Sequence, residues 1–370
     1  MIVGIKRLVV KVGSSVLTDA KGRLQPERIE QLAEQIAACA GRPCQVLIVS
    51  SGAIACGMSR LGLARRPTAL AQLQACAAVG QGELIQCYAE AFRRRGITTA
   101  QVLLTQDDLA ARERFRNAKQ TLLTLLHRGV IPVINENDTI AVDEIAFGDN
   151  DRLAALIASA VDAQLLVLLS DVDGLLKDGR LIERAESLSR GHLALVQEGA
   201  RQTTKGGMAS KLEAARLTGH HGIPMVIANG ARPGVLTDVL EGKPVGTLFV
   251  PARDRLGPRK WWIAFSLRQP RGTLVVDAGA AQAVRDQGRS LLPSGVRRVQ
   301  GRFEAGACVS IADEAGREVA RGVSNYSAGD LARICGMKSQ EAAQALGRAR
   351  AEEVVHRDHL VLARELEPAA

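Results

Sequence analysis

Aromatic residues make up only 3% of this 370-residue chain, so any core has to be aliphatic and rich in alanine. Histidine is scarce too. His127, His192, His220, His221, His356 and His359 are the full set, and none falls in a polar cluster at the end of an apolar run. A Ser-His or Cys-His nucleophile and a histidine-held metal are therefore unsupported. The seven cysteines are scattered, odd in number and without a C-x-x-C pair. They read as reduced, mostly buried thiols in a reducing compartment, with a single reactive thiol as the alternative. No apolar run approaches the roughly 18 residues of a membrane span. Lys6-Arg7 follows the first apolar residues instead of preceding them, so the start does not read as a signal peptide. A cytoplasmic protein without membrane contact is expected.

What is present points to a globular protein of two domains. Hydrophobic residues reach 46% and charged residues 24%, a folded balance, and the length exceeds one ordinary core. The net charge is +9, of which residues 1–250 carry +4 and the shorter remainder +5. The denser positive charge of the tail suits an anionic ligand or RNA, or simply a solvated basic face.

Over the first 250 residues, short apolar runs alternate with helical patterns. Leu8–Val12, Gln45–Val49, Gln101–Leu104, Ile131–Asn135, Leu165–Leu169 and Pro224–Ala228 read as strands. Pro26–Ala40, the stretch around Phe115–Leu125, and Met208–Thr218 read as helices. Continuous apolar strands between helices predict a three-layer αβα sandwich with a mainly parallel sheet. Nearly every strand ends in a polar or Gly-rich cluster, and in open parallel sheets ligands bind at the carboxyl ends of strands. After about Ala252 the texture changes. Residues 1–252 read as one domain, 253–270 as a linker and first strand, and 271–370 as a small β-rich domain. Its expected strands are Trp261–Phe265, Thr273–Val276, Val296–Gly301, Cys308–Ala312, Glu318–Val323 and Val354–Leu362, with helices at Ala280–Gln287 and Ala328–Ile334.

Four clusters carry chemistry. Lys11-Val12-Gly13-Ser14-Ser15 places a lysine beside backbone N–H groups that can approach an anion, although Lys-x-Gly is also ordinary turn chemistry. Thr203-Thr204-Lys205-Gly206-Gly207-Met208-Ala209-Ser210-Lys211 precedes a helix whose dipole favours an anion; the alternative is a flexible Gly-Gly loop with surface lysines. It is no P-loop, because Gly-Lys-Ser/Thr is absent. Gly148-Asp149-Asn150-Asp151 opens another helix, and one of its polar residues is expected to cap it. Asn135-Glu136-Asn137-Asp138-Thr139 suits an amino acid, with Asp138 as partner for its ammonium group. A site rich in Lys, Gly, Asn and Asp but lacking His fits phosphorylation of a carboxylate. Such an acceptor ionises near pH 4 and needs no general base, so positioning and charge neutralisation suffice.

These clusters, with Val49-Ser50-Ser51-Gly52-Ala53-Ile54 and Arg112-Glu113-Arg114-Phe115-x-Asn117-Ala118, resemble the amino acid kinase family, and in combination its glutamate-phosphorylating branch. Ser290-Leu291-Leu292-Pro293-x-Gly295 and Gly322-Val323-Ser324-x-Tyr326 resemble a PUA domain. The resemblance spans nearly the whole chain and implies transfer of phosphate from ATP to the side-chain carboxylate of L-glutamate, the first step of proline biosynthesis. It implies that Lys11 and Lys211 neutralise the moving phosphoryl group and that Asp151 orients them. Ser51, Asp138 and Asn150 would hold glutamate. Ser170, Asp171 and the loop Lys205, Gly206, Gly207, Met208, Ala209, Ser210 and Lys211 would contact the nucleotide, as would Lys11. Magnesium is expected on the phosphates without a dedicated protein cage. Expected partners are glutamate, ATP, proline as feedback inhibitor, a second copy of the chain, and RNA through the tail. The short Lys177-Asp178-Gly179 turn replaces a longer insertion, Lys205 stands where a small residue is common, and Ser14-Ser15 replaces a Gly/Thr-Ser pair.

Two alternatives compete. One is a sister kinase acting on N-acetylglutamate, aspartate, carbamate or a nucleoside monophosphate, against which the PUA-like tail argues. The other is an RNA-binding protein, although Trp261, Trp262 and Tyr326 are the only Trp or Tyr residues of the tail.

Overall fold

A computed structural model of the chain describes residues 4–19, 21–40, 44–141, 150–186, 207–251, 256–266, 270–347 and 352–366. The chain divides into two compact units, Met1–Arg255 with Ala369–Ala370, and Leu256–Pro368.

In the first unit the elements run β1 (Arg7–Val12), α1 (Ser14–Leu17), α2 (Pro26–Ala40), β2 (Gln45–Ser50), α3 (Ala53–Arg60), α4 (Leu70–Arg93) and β3 (Thr99–Leu104). Next come α5 (Gln106–Ala110), α6 (Arg112–His127), β4 (Ile131–Glu136), α7 (Asn150–Ala160) and β5 (Leu165–Ser170). The short β6 (Leu176–Lys177), β7 (Arg180–Leu181) and β8 (Arg184–Ala185) precede α8 (Gly207–His221), β9 (Met225–Asn229), α9 (Val235–Leu240) and β10 (Thr247–Phe249). The main sheet has the order β3-β4-β2-β1-β5-β9-β10-β8. Its pairs are parallel except β9 with β10. Every residue of β4 and β5 is buried, as strands covered on both faces must be.

The alternation of β1 separates its two faces. Leu8, Val10 and Val12 join a core with Ile29, Leu32 and Ile36 of α2 and Leu84, Tyr88 and Phe92 of α4. Lys11 points the other way and meets α7. The helix α2 begins on Pro26, whose missing N–H costs nothing at a first helical position. Close approach of α3 and α4 depends on two glycines. A Cβ on Gly57 would stand 1.8 Å from the carbonyl oxygen of Cys76, and one on Gly80 1.9 Å from that of Ala53.

The second unit holds α10 (Pro258–Trp261) and a π-helical turn (Trp262–Ser266), then β11 (Gly272–Val276), α11 (Ala278–Gln287), β12 (Val296–Gly301), β13 (Cys308–Ala312) and β14 (Glu318–Val323). It continues with α12 (Ala328–Ile334), α13 (Ser339–Leu346), β15 (Leu360–Leu362) and α14 (Ala363–Leu366). The sheet order is β12-β11-β13-β14-β15, parallel only between β11 and β13. Trp261–Phe265, expected as a strand, is helical. Trp261 and Phe265 are one helical turn apart, both buried, with ring centroids 5.9 Å from each other. A short apolar run carries no period that separates a strand from a buried helix. The expected strand Val354–Leu362 shrinks to Leu360–Leu362, preceded by a 3-10 turn over Arg357–His359.

Candidate active site

The strand order places β1 at the point where the chain turns first to β2 on one side and later to β5 on the other. In such sheets this is where the loops part and leave a crevice. The carboxyl ends line up there. Val12 is opposite Ser50 on one side and Leu169 on the other. The Ser51 N–H donates to the Val12 carbonyl at 3.0 Å and the Gly13 N–H to the Leu169 carbonyl at 2.9 Å. Gly52 then takes φ +111°, a region closed to most side chains, and starts α3.

Lys11 lies one residue before the end of β1, on the face covered by α7, and is 5% exposed. Its ammonium pairs with Oδ1 of Asp151, which is 0% exposed at the start of α7. The other oxygen, Oδ2, accepts from Lys211 Nζ at 3.0 Å and from Ser210 Oγ at 3.2 Å, both on α8. Lys211 Nζ also donates to the Gly207 carbonyl at 3.2 Å, which folds the side chain back over its own first turn. One carboxylate thus holds two buried lysines from two elements. Each buried ammonium group thereby has an opposite charge beside it in place of water. The cluster has a net charge of +1, a surplus suited to an anion.

Asn150, the residue before Asp151, fastens the next wall. Its side-chain amide donates to the Ser50 carbonyl at 2.7 Å, to Ser51 Oγ at 3.1 Å and to Asn135 Oδ1 at 2.7 Å. Asn135 is held in turn by Gln81 Oε1 at 2.6 Å, and Ser50 Oγ lies 3.1 Å from the Tyr88 hydroxyl. The ends of β2 and β4 and the starts of α3 and α7 are therefore tied into one network, and a network whose members are paired fixes geometry.

Beside it opens a cleft lined by Ser51, Gly52, Arg66, Glu136, Asp138 and Asn150 among others. Burial pushes the Asp138 carboxyl up to about 6, while the charge of Arg66 pulls the other way. The cleft combines hydroxyl, amide, carboxylate and guanidinium groups, a set that can bind a zwitterion.

Of the residues expected from the sequence, the structure brings Lys11, Asp151, Ser210 and Lys211 into one cluster, with Asn150 and Ser51 next to it and Asp138 in the adjoining cleft. Ser170 is buried at the end of β5 and donates to Asp171 Oδ1 at 3.0 Å. Gly207, Met208 and Ala209 form the first turn of α8. Lys205 and Gly206 lie outside the described residues, as do Gly148 and Asp149. Sequence reasoning did not single out Gln81, Tyr88 or Arg66. They sit in or before α4, far along the chain from any polar cluster, and only the fold reveals them.

Comparison with known proteins identifies the family. The profile of the amino acid kinase family matches residues 6–229. The chain belongs to the amino acid kinase family. The PUA domain profile matches residues 272–346, within the second unit. A protein named glutamate 5-kinase from Geobacter metallireducens is 47% identical over 365 residues, covering 97% of this chain and 98% of that one. Another of that name from Thermus thermophilus is 48% identical over 368 residues, covering 97% and 98%. Among solved structures, a Giardia carbamate kinase shares the fold at a TM-score of 0.50 and 20% identity, covering 67% of this chain and 99% of that one.

Proposed function

We propose that this kinase transfers the terminal phosphoryl group of ATP to the side-chain carboxylate of L-glutamate, giving L-glutamyl 5-phosphate and ADP, the first step of proline biosynthesis. The observation that carries this is the buried Lys11–Asp151–Lys211 cluster beside a cleft suited to a zwitterion. The acceptor carboxylate is already ionised, so an oxygen lone pair attacks phosphorus directly while the bond to the ADP oxygen breaks, and no proton has to be removed. Lys11 and Lys211 would follow the negative charge of the phosphoryl oxygens. Asp151 would fix the spacing of the two ammonium groups. Ser51, Asp138 and Asn150 would hold glutamate, Asp138 taking its ammonium. Ser170, Asp171 and the segment 205–211 would face the nucleotide.

Magnesium fits as a companion of the ATP phosphates. Asp151 gives one oxygen to each lysine, so its charge is already matched by the protein; the ion would shield the phosphate oxygens from each other. Proline, which carries an α-carboxylate and a secondary ammonium, would compete in the same cleft. A second copy of the chain, and RNA at the basic second unit, complete the proposed partners. The seven cysteines are unpaired, which suits a reducing cytoplasm. Among the described residues no helix is long and apolar enough to cross a membrane.

The test is a panel of candidate acceptors incubated with ATP and hydroxylamine, which traps acyl phosphates as hydroxamates. Glutamate should give the dominant signal. A stronger signal from N-acetylglutamate or aspartate, or none from any carboxylate, would overturn the assignment.

A further inference from the structure

Arg66 lies in the connection between α3 and α4 and lines the cleft with Ser51, Glu136, Asp138 and Asn150. Among the described residues it is the one cationic side chain on that lining. Its charge reaches Asp138, where it opposes the effect of burial. Lys11 and Lys211 are engaged with Asp151 at the phosphoryl end. A bound glutamate presents an ammonium and two carboxylates. The reacting carboxylate has to face the two lysines. The α-carboxylate then lies toward the wall that carries Glu136 and Asp138, where an anion needs a cation to offset desolvation and repulsion. A guanidinium is suited to this, because its planar fork matches a carboxylate with two parallel hydrogen bonds.

We propose that Arg66 binds the α-carboxylate of the acceptor, so that Arg66 and Asp138 together read the zwitterionic end and restrict the kinase to α-amino acids. This rests on the glutamate kinase reading and adds a specificity-determining residue to it. Arg66 comes from a connection outside the sheet and the tied strand ends, so the acceptor's far end is read by an element separate from the one that does chemistry.

The probe is 4-aminobutyrate, which keeps the ammonium and the reacting carboxylate of glutamate and lacks only the α-carboxylate. Hydroxamate formation is measured for both compounds with wild type, Arg66→Ala and Arg66→Lys; if 4-aminobutyrate turns over too slowly, its competitive inhibition constant is used. Arg66→Ala should lower kcat/KM for glutamate about ten- to hundredfold, the range of a lost charge-assisted contact, and mainly through KM. Its KM for ATP and its handling of 4-aminobutyrate should stay within a factor of about two, since neither ligand presents an α-carboxylate to Arg66. Arg66→Lys should fall between. Arg66 is exposed, so its replacement leaves the core untouched. Equal losses for both compounds, or an unchanged glutamate KM, would overturn the assignment of Arg66 alone. A wild type that forms no hydroxamate from glutamate would overturn the underlying function as well.

Discussion

Replacing Asp151 by Asn leaves Lys11 and Lys211 on either side of a neutral amide. Two ammonium groups bound to opposite oxygens of one carboxylate stand roughly 5 Å apart, which at an effective dielectric constant near 20 amounts to about 3 kcal/mol of repulsion. Removing either lysine instead leaves a neutral pair with Asp151. Asp151→Asn should therefore be the most destabilised of the three variants, with a midpoint lower than wild type by roughly 6–12 °C for a unit of this size. Lys11→Ala and Lys211→Ala should lose less stability, while turnover falls about 100- to 1,000-fold in each, as for other contacts to developing charge. The distinguishing readout is ligand rescue. An anion placed between two lysines relieves their repulsion, so ATP should raise the thermal midpoint of Asp151→Asn more than that of wild type. Thermal unfolding of all three variants with and without ATP makes the measurement. An Asp151→Asn variant as stable as Lys11→Ala, with an ATP shift no larger than that of wild type, would refute the claim that Asp151 exists to hold two like charges together.

Other consequences follow from single contacts. Asp138 titrates near 3.9 in an unfolded chain and at about 6 in the folded one, so its effect on stability is most favourable below the lower value and is lost as pH rises through about 6. Asp138→Asn should be more stable than wild type at pH 7, by at most about 3 kcal/mol, and equal to it near pH 3. In wild type the KM for glutamate should climb as pH drops below about 6, while the variant shows a high and flat KM; a parallel climb in both would place the titration elsewhere. Gly57→Ala and Gly80→Ala each drive a methyl group into backbone oxygen, and each should cost about 3 kcal/mol or more in urea unfolding, at the upper end of overpacking. A chain ended near Ala252 should keep glutamate kinase activity per folded molecule, because the ion cluster and cleft lie within the first unit. A soluble, monodisperse truncation without activity would show that the second unit completes the site.

Six strands of the first unit were legible as short apolar runs, most of them closed by a polar cluster, whereas the two-residue strands β6, β7 and β8 carry no such run. Ile131–Glu136 and Leu165–Ser170 differ by one residue from the runs read in the sequence. Helix α2 was legible to its ends, since Pro26 marks its start and Ile29, Leu32, Ala33 and Ile36 keep a single buried face. The tail misled at Trp261–Phe265, where five apolar residues fit a strand and a buried helix equally well. Helix α13 was missed: Ser339–Leu346 buries only Ala342, so its helical period is nearly silent. Lys11, Asp151 and Lys211 each stand in a motif visible in the sequence, and the structure brings them together. Their meeting on a single carboxylate, 60 residues from one lysine, is a product of the parallel sheet and could not be read from spacing. Arg66 was invisible for a related reason. It stands in a polar connection where arginine is common, and only the fold turns it toward the cleft.

The shortage of histidine gains a physical reason from this arrangement. A kinase that phosphorylates a hydroxyl group has to place a base within reach of a proton. A carboxylate acceptor brings its own negative charge, and the difficulty shifts to bringing it against an anionic phosphoryl group. Fixed positive charge answers that difficulty, and it has to be buried to act in a weakly screening medium. Buried ammonium groups tend to lose their protons. Here Asp151 sets one carboxylate oxygen against each lysine, which leaves the cluster a formal surplus of one positive charge. Asn150, next in sequence, uses its neutral amide to pin the neighbouring strand ends. One helical start therefore supplies both the charge balance and the rigidity of the site. Under the proposed assignment, choosing the acceptor would fall to the cleft wall, where Asp138 and Arg66 carry opposite charges.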